Sequence, residues 1–281
     1  MKFNITAKLL YQVVTPGTII LNIHALHTPG QTITEEKFTI TPYSKFEELT
    51  SAHGENRFIR FDLPQQGTVE VKYSAIVDNN TKLIDFTDQP EVAICDLDPE
   101  IFPYLYPSRY CQSDKLYRFA MHHFGMLNNT FEKVAALTDW IHENVQYLSG
   151  STNSQTSAFD TVTELAGVCR DFAHLGIALC RALSIPARYF TGYAYKLSPP
   201  DFHACFEAFI GGQWVLFDAT KLAPLNGLVK IATGRDAADT AIATIYGEVS
   251  FLSMAINSEF ADNNFEPFYY DSKTLTGISY M

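Results

Sequence analysis

Cys169 has the sequence surroundings of a reactive thiol, within the segment Gly167-Val168-Cys169-Arg170-Asp171-Phe172. Gly167 permits a tight turn, and the apolar residues that follow predict a buried helix from Cys169 to Leu183. A thiol in the first turn of a helix meets unpaired N–H groups and the positive end of the helix dipole, which favour the thiolate. Because the thiolate is the nucleophile, Cys169 is a candidate catalytic residue. The position alone favours another interpretation, in which Cys169 is only a small residue that fills the start of a helix, since most cysteines are structural.

His203 and Asp218 lie in two alternating runs separated by Gly211-Gly212, which is a strong hairpin signal. A two-residue turn pairs Ile210 with Gln213 and puts His203 and Asp218 on one face, diagonal to each other. The carboxylate can then accept a hydrogen bond from the imidazole and stabilise the imidazolium. A turn with an odd number of residues would put the two side chains on opposite faces. The order cysteine, histidine, aspartate is one of the recurrent layouts of nucleophile and base.

Five segments around these residues resemble the core of transglutaminase-like proteins, most closely the bacterial branch described as cysteine proteases. The segments are Gly167–Ala173, Pro186–Tyr189, Thr191–Tyr193, Asp201–Ala204 and Trp214–Thr220. They follow one another in the order of the family, and the resemblance covers roughly residues 130 to 225. It implies a papain-like arrangement in which Cys169 is the nucleophile, His203 the base and Asp218 the residue that orients the base.

The resemblance implies chemistry on amide bonds, but the fold hosts several reactions. Our leading hypothesis is hydrolysis of a protein or peptide through a thioester between the substrate and Cys169. Cross-linking of glutamine to lysine and a non-catalytic binding scaffold are the alternatives. Arg170 stands where animal transglutaminases carry an aromatic residue, and no EF-hand-type loop supports calcium dependence. We therefore expect no cofactor.

An acyl-transfer enzyme needs two donors for the oxyanion of its intermediate. The backbone N–H of Cys169 is one predicted donor. Candidates for the second donor, or for substrate binding, precede the nucleophile in the chain and are Gln155, Asn153, Trp140 and Tyr147. Each of these four residues is also explained by packing in a loop or in the core.

Two charged residues near the motifs are further candidates. Arg170 is expected to hold the helix start, together with Asp171, close to the cleft. Glu207 shares a strand face with His203 and either steers substrate charge or belongs to a structural network. No paired Cys-x-x-Cys or His-x-x-x-His spacing occurs, so we predict no metal site.

The elements predict an α+β protein of two domains, with an antiparallel β-sandwich first and helices with an antiparallel sheet after it. The resemblance implies that this second part has the papain-like fold of the transglutaminase core. Residues 1–95 alternate in the manner of strands and form the predicted sandwich-like domain. Residues 96–113 are rich in proline and aromatic residues, which disfavours helix and central strand and predicts a connector. Residues 114–281 form the predicted catalytic domain.

Within the predicted catalytic domain, helices are expected to start at Asp114, at Asn129 or Thr130, at Ala158 and at Cys169. Three strands should follow, over residues 187–196, 203–210 and 213–219. In the tail we expect a short helix capped by Asp236 and late strands over residues 248–254 and 265–270.

Composition restricts the partners of the chain. A formal charge of −11 over 281 residues argues against nucleic acid, because phosphate binding needs a basic surface. The N-terminus lacks the apolar run of a signal peptide, and no stretch is apolar enough to span a bilayer. The five scattered cysteines are typical of free thiols in a reducing cytosol. We therefore expect a cytoplasmic protein that acts on proteins or peptides, whose oligomeric state the sequence does not determine.

Overall fold

The computed structural model describes residues 1–51 and 56–280. Its four α-helices begin within one residue of the predicted positions and are α1 (Ser113–Phe124), α2 (Thr130–Asn144), α3 (Ala158–Glu164) and α4 (Cys169–Ala182). The start of α2 shows why the sequence folds this way, since Asn129 accepts hydrogen bonds from the N–H groups of Phe131 and Glu132.

The described residues form sixteen β-strands. They are β1 (Lys2–Val13), β2 (Gly17–Leu21), β3 (Gln31–Thr41), β4 (Phe46–Thr50), β5 (Arg57–Leu63), β6 (Gly67–Asn79), β7 (Thr81–Asp85), β8 (Gln146–Tyr147), β9 (Ala166–Gly167), β10 (Ala187–Ala194), β11 (Phe202–Ile210), β12 (Gln213–Phe217), β13 (Leu228–Gly234), β14 (Ala243–Tyr246), β15 (Val249–Phe260) and β16 (Thr276–Tyr280).

Two four-stranded sheets, ordered β15-β1-β6-β3 and β14-β2-β5-β4, form the N-terminal β-sandwich. Alternate residues of β1 point into one core, as the period of two predicts, and include Phe3, Ile5 and Leu9. The predicted sandwich is therefore present, and its core is separate from the main core around α4.

Strand pairing crosses the predicted domain boundaries in both directions. From the C-terminal part of the chain, β14 pairs with β2 and β15 pairs with β1, which completes both sheets of the sandwich. From the N-terminal part, β7 pairs with β16 at one edge of the central sheet. Boundaries at residues 95 and 114 therefore do not separate the sheets, because each region lends strands to the other.

The central antiparallel sheet has the order β13-β10-β11-β12-β16-β7. Its β11–β12 hairpin pairs Ile210 with Gln213 and Phe206 with Phe217, in the predicted register. Gly211 and Gly212 both adopt positive φ, at 58° and 79°, which other residues seldom tolerate. The two-residue turn thus fixes which side chains of the hairpin share a face.

Helix α4 packs on this sheet through close backbone approach. At Gly176, an added Cβ would lie 2.5 Å from the ring of the fully buried Phe206. From Asp171 to Ala182 every residue of α4 is buried, so the predicted core helix is confirmed. The packing of α4 on the sheet therefore fixes where the first residue of α4, Cys169, lies relative to His203 near the start of β11.

Three local predictions are wrong. A 3₁₀ helix at Ile94–Asp96 leads into the connector. The connector contains another at Pro99–Tyr104, because proline suits the first helical position, where no N–H is needed. Asp236 caps no helix, because residues 237–239 form only a turn. Its carboxylate accepts hydrogen bonds from the N–H groups of Ala238 in that turn and of Tyr110. Residues 265–270 form no strand, and the late strand of this region is β16.

Candidate active site

Cys169 is the first residue of α4 and is partly buried. The turn before it is tight, since a Cβ on Gly167 would lie 2.7 Å from the Cβ of Asp171. Asp171 accepts a hydrogen bond of 2.9 Å from the N–H of Val168, and this bond closes the first turn of the helix. The thiol therefore sits on a helix start whose backbone is held by its own sequence.

Arg170 braces the loop in front of the helix, as the sequence analysis expects. Its guanidinium donates to the carbonyl oxygen of Asn153 at 2.6 Å and forms an ion pair of 3.1 Å with Asp171. The same carboxylate accepts a hydrogen bond from the hydroxyl of Thr152 at 3.1 Å. Arg170 thus ties residues 152–153 to the helix start and keeps that loop beside the thiol.

His203 and Asp218 form a buried pair. Nε2 of His203 lies 2.8 Å from Oδ2 of Asp218, and the two side chains are 1% and 3% exposed. The other carboxylate oxygen accepts hydrogen bonds from the N–H and the hydroxyl of Thr220, at 2.9 and 2.7 Å. Asp218 is therefore held in place from both of its oxygens.

The charges of the His203–Asp218 pair stabilise each other. Burial opposes the imidazolium, but the Asp218 carboxylate and hydrogen bonds with Asp218 and Cys169 outweigh it, so the pKa of His203 lies well above its ordinary value. Burial also opposes the Asp218 carboxylate, yet His203 and the hydrogen bonds from Thr220 hold its pKa below the ordinary value. The pair therefore favours a protonated imidazole whose other nitrogen is free to face the thiol of Cys169.

Cys205 is a further buried group beside the pair. Burial raises the pKa of its thiol to about 12, so it is neutral near pH 7. The ligand atoms of His203, Cys205 and Asp218 lie within 4.8 Å of one another. Two nitrogen or oxygen ligands of one tetrahedral zinc ion, each about 2.0–2.2 Å from the metal, stand more than about 3 Å apart. The His203 and Asp218 atoms are closer than that, at 2.8 Å, which is the distance of a hydrogen bond. The spacing of this pair therefore fits a hydrogen bond better than two ligands of one zinc ion.

Tyr147 lies beside the nucleophile. It belongs to β8, which pairs in parallel with β9 immediately before α4, opposite Gly167. Its ring packs against Phe172 at 5.8 Å, and its phenol oxygen faces the backbone N–H of Cys169. Burial and the neighbouring Cys169 thiol raise the pKa of Tyr147, so the phenol keeps its proton and remains a donor.

The contacts of the other oxyanion candidates are with groups other than the thiol. The indole of Trp140 packs against Phe119 at 5.0 Å and His123 at 5.9 Å. Gln155 is exposed, and its N–H donates to the side chain of Asn153 within the loop. In this conformation Tyr147 is the predicted candidate whose polar atom faces the Cys169 N–H.

Glu207 is fully buried between two cations. It binds Arg188 at 2.6 Å and Lys230 at 2.7 Å, and these charges hold its pKa below the ordinary value although burial raises it. A carboxylate in this position cannot meet a substrate. Of the two sequence interpretations, the contacts favour the structural network over the steering of substrate charge.

Asp201 was missed by the sequence analysis as a candidate residue. It immediately precedes β11, is partly buried, and its charge acts on both His203 and Tyr147. The available signal was the spacing of two residues from His203, because residues two apart in extended chain point to the same side.

These features define a class of protein, one in which a β-sandwich accompanies a papain-like helix-and-sheet core with a Cys–His–Asp cluster at the helix start. Residues 1–100 match the family model of the bacterial transglutaminase N-terminal domain, and residues 121–219 match that of the transglutaminase-like superfamily. The chain belongs to the transglutaminase-like superfamily. The predicted family and the predicted α+β fold class are both confirmed.

Among solved structures, a protein from Cytophaga hutchinsonii described as a "putative cysteine protease" is 57% identical, with a TM-score of 0.98. The match covers 100% of this chain and 98% of that one. An uncharacterized protein of Mycobacterium leprae is 30% identical over 116 residues, which are 38% of this chain and 42% of that relative. The match thus spans less than half of this curated relative. The family and the Cytophaga structure support a function like that of a cysteine protease.

Proposed function

We propose that the protein is a cysteine-dependent amide hydrolase that acts on proteins or peptides through Cys169, His203 and Asp218. The observation that carries the proposal is the buried pair of His203 and Asp218 at 2.8 Å, joined by a hydrogen bond to a thiol at a helix start. A helix start and an adjacent imidazolium are the two settings that favour a thiolate. Such a thiolate is competent to attack an amide carbonyl.

In the proposed reaction the sulfur of Cys169 attacks the carbonyl carbon of the substrate. The carbonyl electrons move to its oxygen, and the tetrahedral intermediate collapses as the C–N bond breaks. His203 gives its proton to the departing nitrogen, which leaves as an amine. Water, deprotonated by His203, then attacks the thioester and releases the carboxylic acid and the thiol.

The oxyanion of the intermediate requires donors near Cys169. We assign the first to the backbone N–H of Cys169, which lies at the start of α4. The second is the phenol of Tyr147, whose oxygen faces that N–H and whose raised pKa, caused by burial, keeps the O–H available. A substrate oxygen that enters this space would replace the contact between the two groups.

A peptide library offered to the wild-type protein and to Cys169→Ala tests the proposal. We expect new amino termini from the wild type, none from Cys169→Ala, and undiminished release from Cys95→Ala, because Cys95 is exposed in the 3₁₀ helix Ile94–Asp96. Release by Cys169→Ala, or its absence from the wild type over the whole library, would refute the hydrolase proposal.

The same samples separate the alternatives. Transfer to an amine instead of water would incorporate a fluorescent alkylamine into a glutamine-bearing protein, in a reaction that requires Cys169. A binding scaffold would show neither reaction and no selective labelling of Cys169. The partly exposed thiol favours an enzyme over a scaffold, because a blocked cleft would bury it.

A reducing compartment is also part of the proposal. All five cysteines of the chain are free, and three of them are buried. No helix of the described residues has the length and apolarity needed to cross a membrane. The cytoplasm remains the location that we propose, on the basis of the free thiols.

A further inference from the structure

Asp201 holds a carboxylate at the mouth of the candidate active site. Its Oδ1 accepts a hydrogen bond of 2.7 Å from the N–H of Phe202, which fixes the side chain at the start of β11. His203 follows two residues later, so the two side chains leave the backbone on the same side, about 7 Å apart along the chain. The charge of Asp201 also acts on Tyr147, whose phenol oxygen faces the backbone N–H of Cys169.

Within the described residues, Asp201 forms no salt bridge, and the cation whose charge acts on it is the imidazolium of His203. That imidazolium is already bound to Asp218 at 2.8 Å. Burial raises the pKa of Asp201 against the hydrogen bond from Phe202 and the charge of His203. A carboxylate that is partly removed from water without a cation of its own is unfavourable.

Another carboxylate of the same strand shows the contrast. Glu207 is neutralised within the fold by Arg188 and Lys230, at 2.6 and 2.7 Å. Asp201 lies at the end of the strand near the thiol, where the cleft is open enough to leave Cys169 partly exposed. A cation that enters the cleft would neutralise the carboxylate of Asp201, as Arg188 and Lys230 neutralise that of Glu207 within the fold.

We propose that Asp201 is a specificity-determining residue that selects substrates with an ammonium or guanidinium group close to the scissile amide. The inference rests on the proposed function, since it assigns a preference to the same site. Lysine or arginine side chains of a peptide, and a free terminal amine, carry the required chemistry. The net charge of −11 adds a long-range attraction for such cations.

Methanethiosulfonates that differ in the charge of their ethyl substituent test this preference without requiring turnover. The thiolate attacks the sulfenyl sulfur, a mixed disulfide forms, and methanesulfinate leaves with the electron pair of the broken S–S bond. We would measure rates at Cys169 with the 2-aminoethyl, 2-hydroxyethyl and 2-sulfonatoethyl reagents by peptide mass mapping. The cation-to-neutral ratio separates charge selection from thiolate reactivity, and the exposed Cys95 gives the reference ratio in the same molecule.

Asp201→Asn removes the charge and keeps an oxygen to accept the Phe202 N–H, so a purely structural role would survive it. We expect the normalised cation-to-neutral ratio at Cys169 to fall about tenfold in this variant, which is the order expected for the loss of one nearby, partly screened charge. Asp201→Glu should keep the preference. Asp85→Asn is the matched control and should change nothing, because Asp85 likewise accepts a backbone N–H, that of Thr87, in the chain after β7.

An unchanged ratio in Asp201→Asn, or an equal fall in Asp85→Asn, would overturn the proposal. If Asp201→Asn does not fold, the salt dependence of the wild type replaces it as the test. The proposal would be overturned if added salt lowered the cation-to-neutral ratio at Cys169 no more than at Cys95. Slow reaction of Cys169 with all three reagents would instead reject the reactive thiol of the proposed function. Fast reaction without charge preference would reject the role of Asp201 alone.

Discussion

Replacement of Asp218 by asparagine isolates the contribution of one charge to the thiol. Asparagine keeps an oxygen that can accept from Thr220, at the position now bonded at 2.9 and 2.7 Å. It replaces the carboxylate oxygen that lies 2.8 Å from Nε2 of His203 by a neutral group. The imidazolium then loses its counter-charge, and the neutral imidazole can place its proton on the nitrogen that faces Cys169.

The magnitude follows from the distance and the burial. Unit charges about 4 Å apart interact by about 4 kcal/mol at an effective dielectric constant of about 20. A hydrogen bond to a charged group contributes about 1.5–3 kcal/mol. Taking about 3 kcal/mol as the loss, and 1.36 kcal/mol per tenfold, we expect alkylation of Cys169 at neutral pH to slow about 10²-fold.

The assay is the rate of iodoacetamide labelling at Cys169, read by mass spectrometry in folded protein. Asp239→Asn is the matched control, since it removes one carboxylate from an ion pair with Arg235, at 2.9 Å, outside the site. Labelling in that variant should equal the wild-type rate. A change of less than threefold in Asp218→Asn, with the fold intact, would refute the reasoning that the buried carboxylate supports the thiolate.

Further changes test other parts of the account. Tyr147→Phe removes one hydroxyl and should lower kcat for peptide hydrolysis about 10²-fold while labelling of Cys169 changes little, whereas unchanged kcat would remove the phenol from the oxyanion site. Glu207→Gln removes the buried carboxylate that binds Arg188 and Lys230 and should lower the free energy of unfolding by about 3–5 kcal/mol in denaturant titrations; a loss below about 1 kcal/mol would contradict the network. Gly176→Ala should destabilise by about 1–3 kcal/mol despite the better helix propensity of alanine, because the added Cβ meets a fully buried ring at 2.5 Å, and a stabilised variant would contradict this packing. The difference in unfolding free energy between the wild type and Asp218→Asn should depend on pH. It should be lost as pH falls through the pKa of Asp218, which His203 lowers, and as pH rises through the pKa of His203, which Asp218 raises. A difference that does not change with pH would contradict the ion pair.

Local rules were sufficient for the parts of the site that lie on single elements or one hairpin. The glycine turn fixes the register of β11 and β12, and the parity of that register brings Asp218 to His203. The apolar run after Cys169 predicts α4 and its first residue. Each of these relations spans few residues, and backbone geometry alone determines it.

Long-range pairings could not be read from the sequence. The tail strand β15 could in principle pair with several strand edges, and only the packed sandwich selects β1. Tyr147 could not be separated from Trp140 or Gln155, because its place beside Cys169 depends on the parallel pairing of β8 with β9. Asp201 was overlooked because its missing cation is a property of the folded surroundings, not of the local sequence.

The central claim, that His203 activates Cys169, is tested most directly by comparing two thiols in one molecule. The measurement is the ratio of iodoacetamide labelling rates at Cys169 and at the exposed Cys95, at neutral pH, in wild type and in His203→Ala. We predict that Cys169 reacts much faster in the wild type and falls to the level of Cys95 when the imidazole is removed. Equal rates in the wild type, or a ratio that His203→Ala leaves unchanged, would contradict the claim.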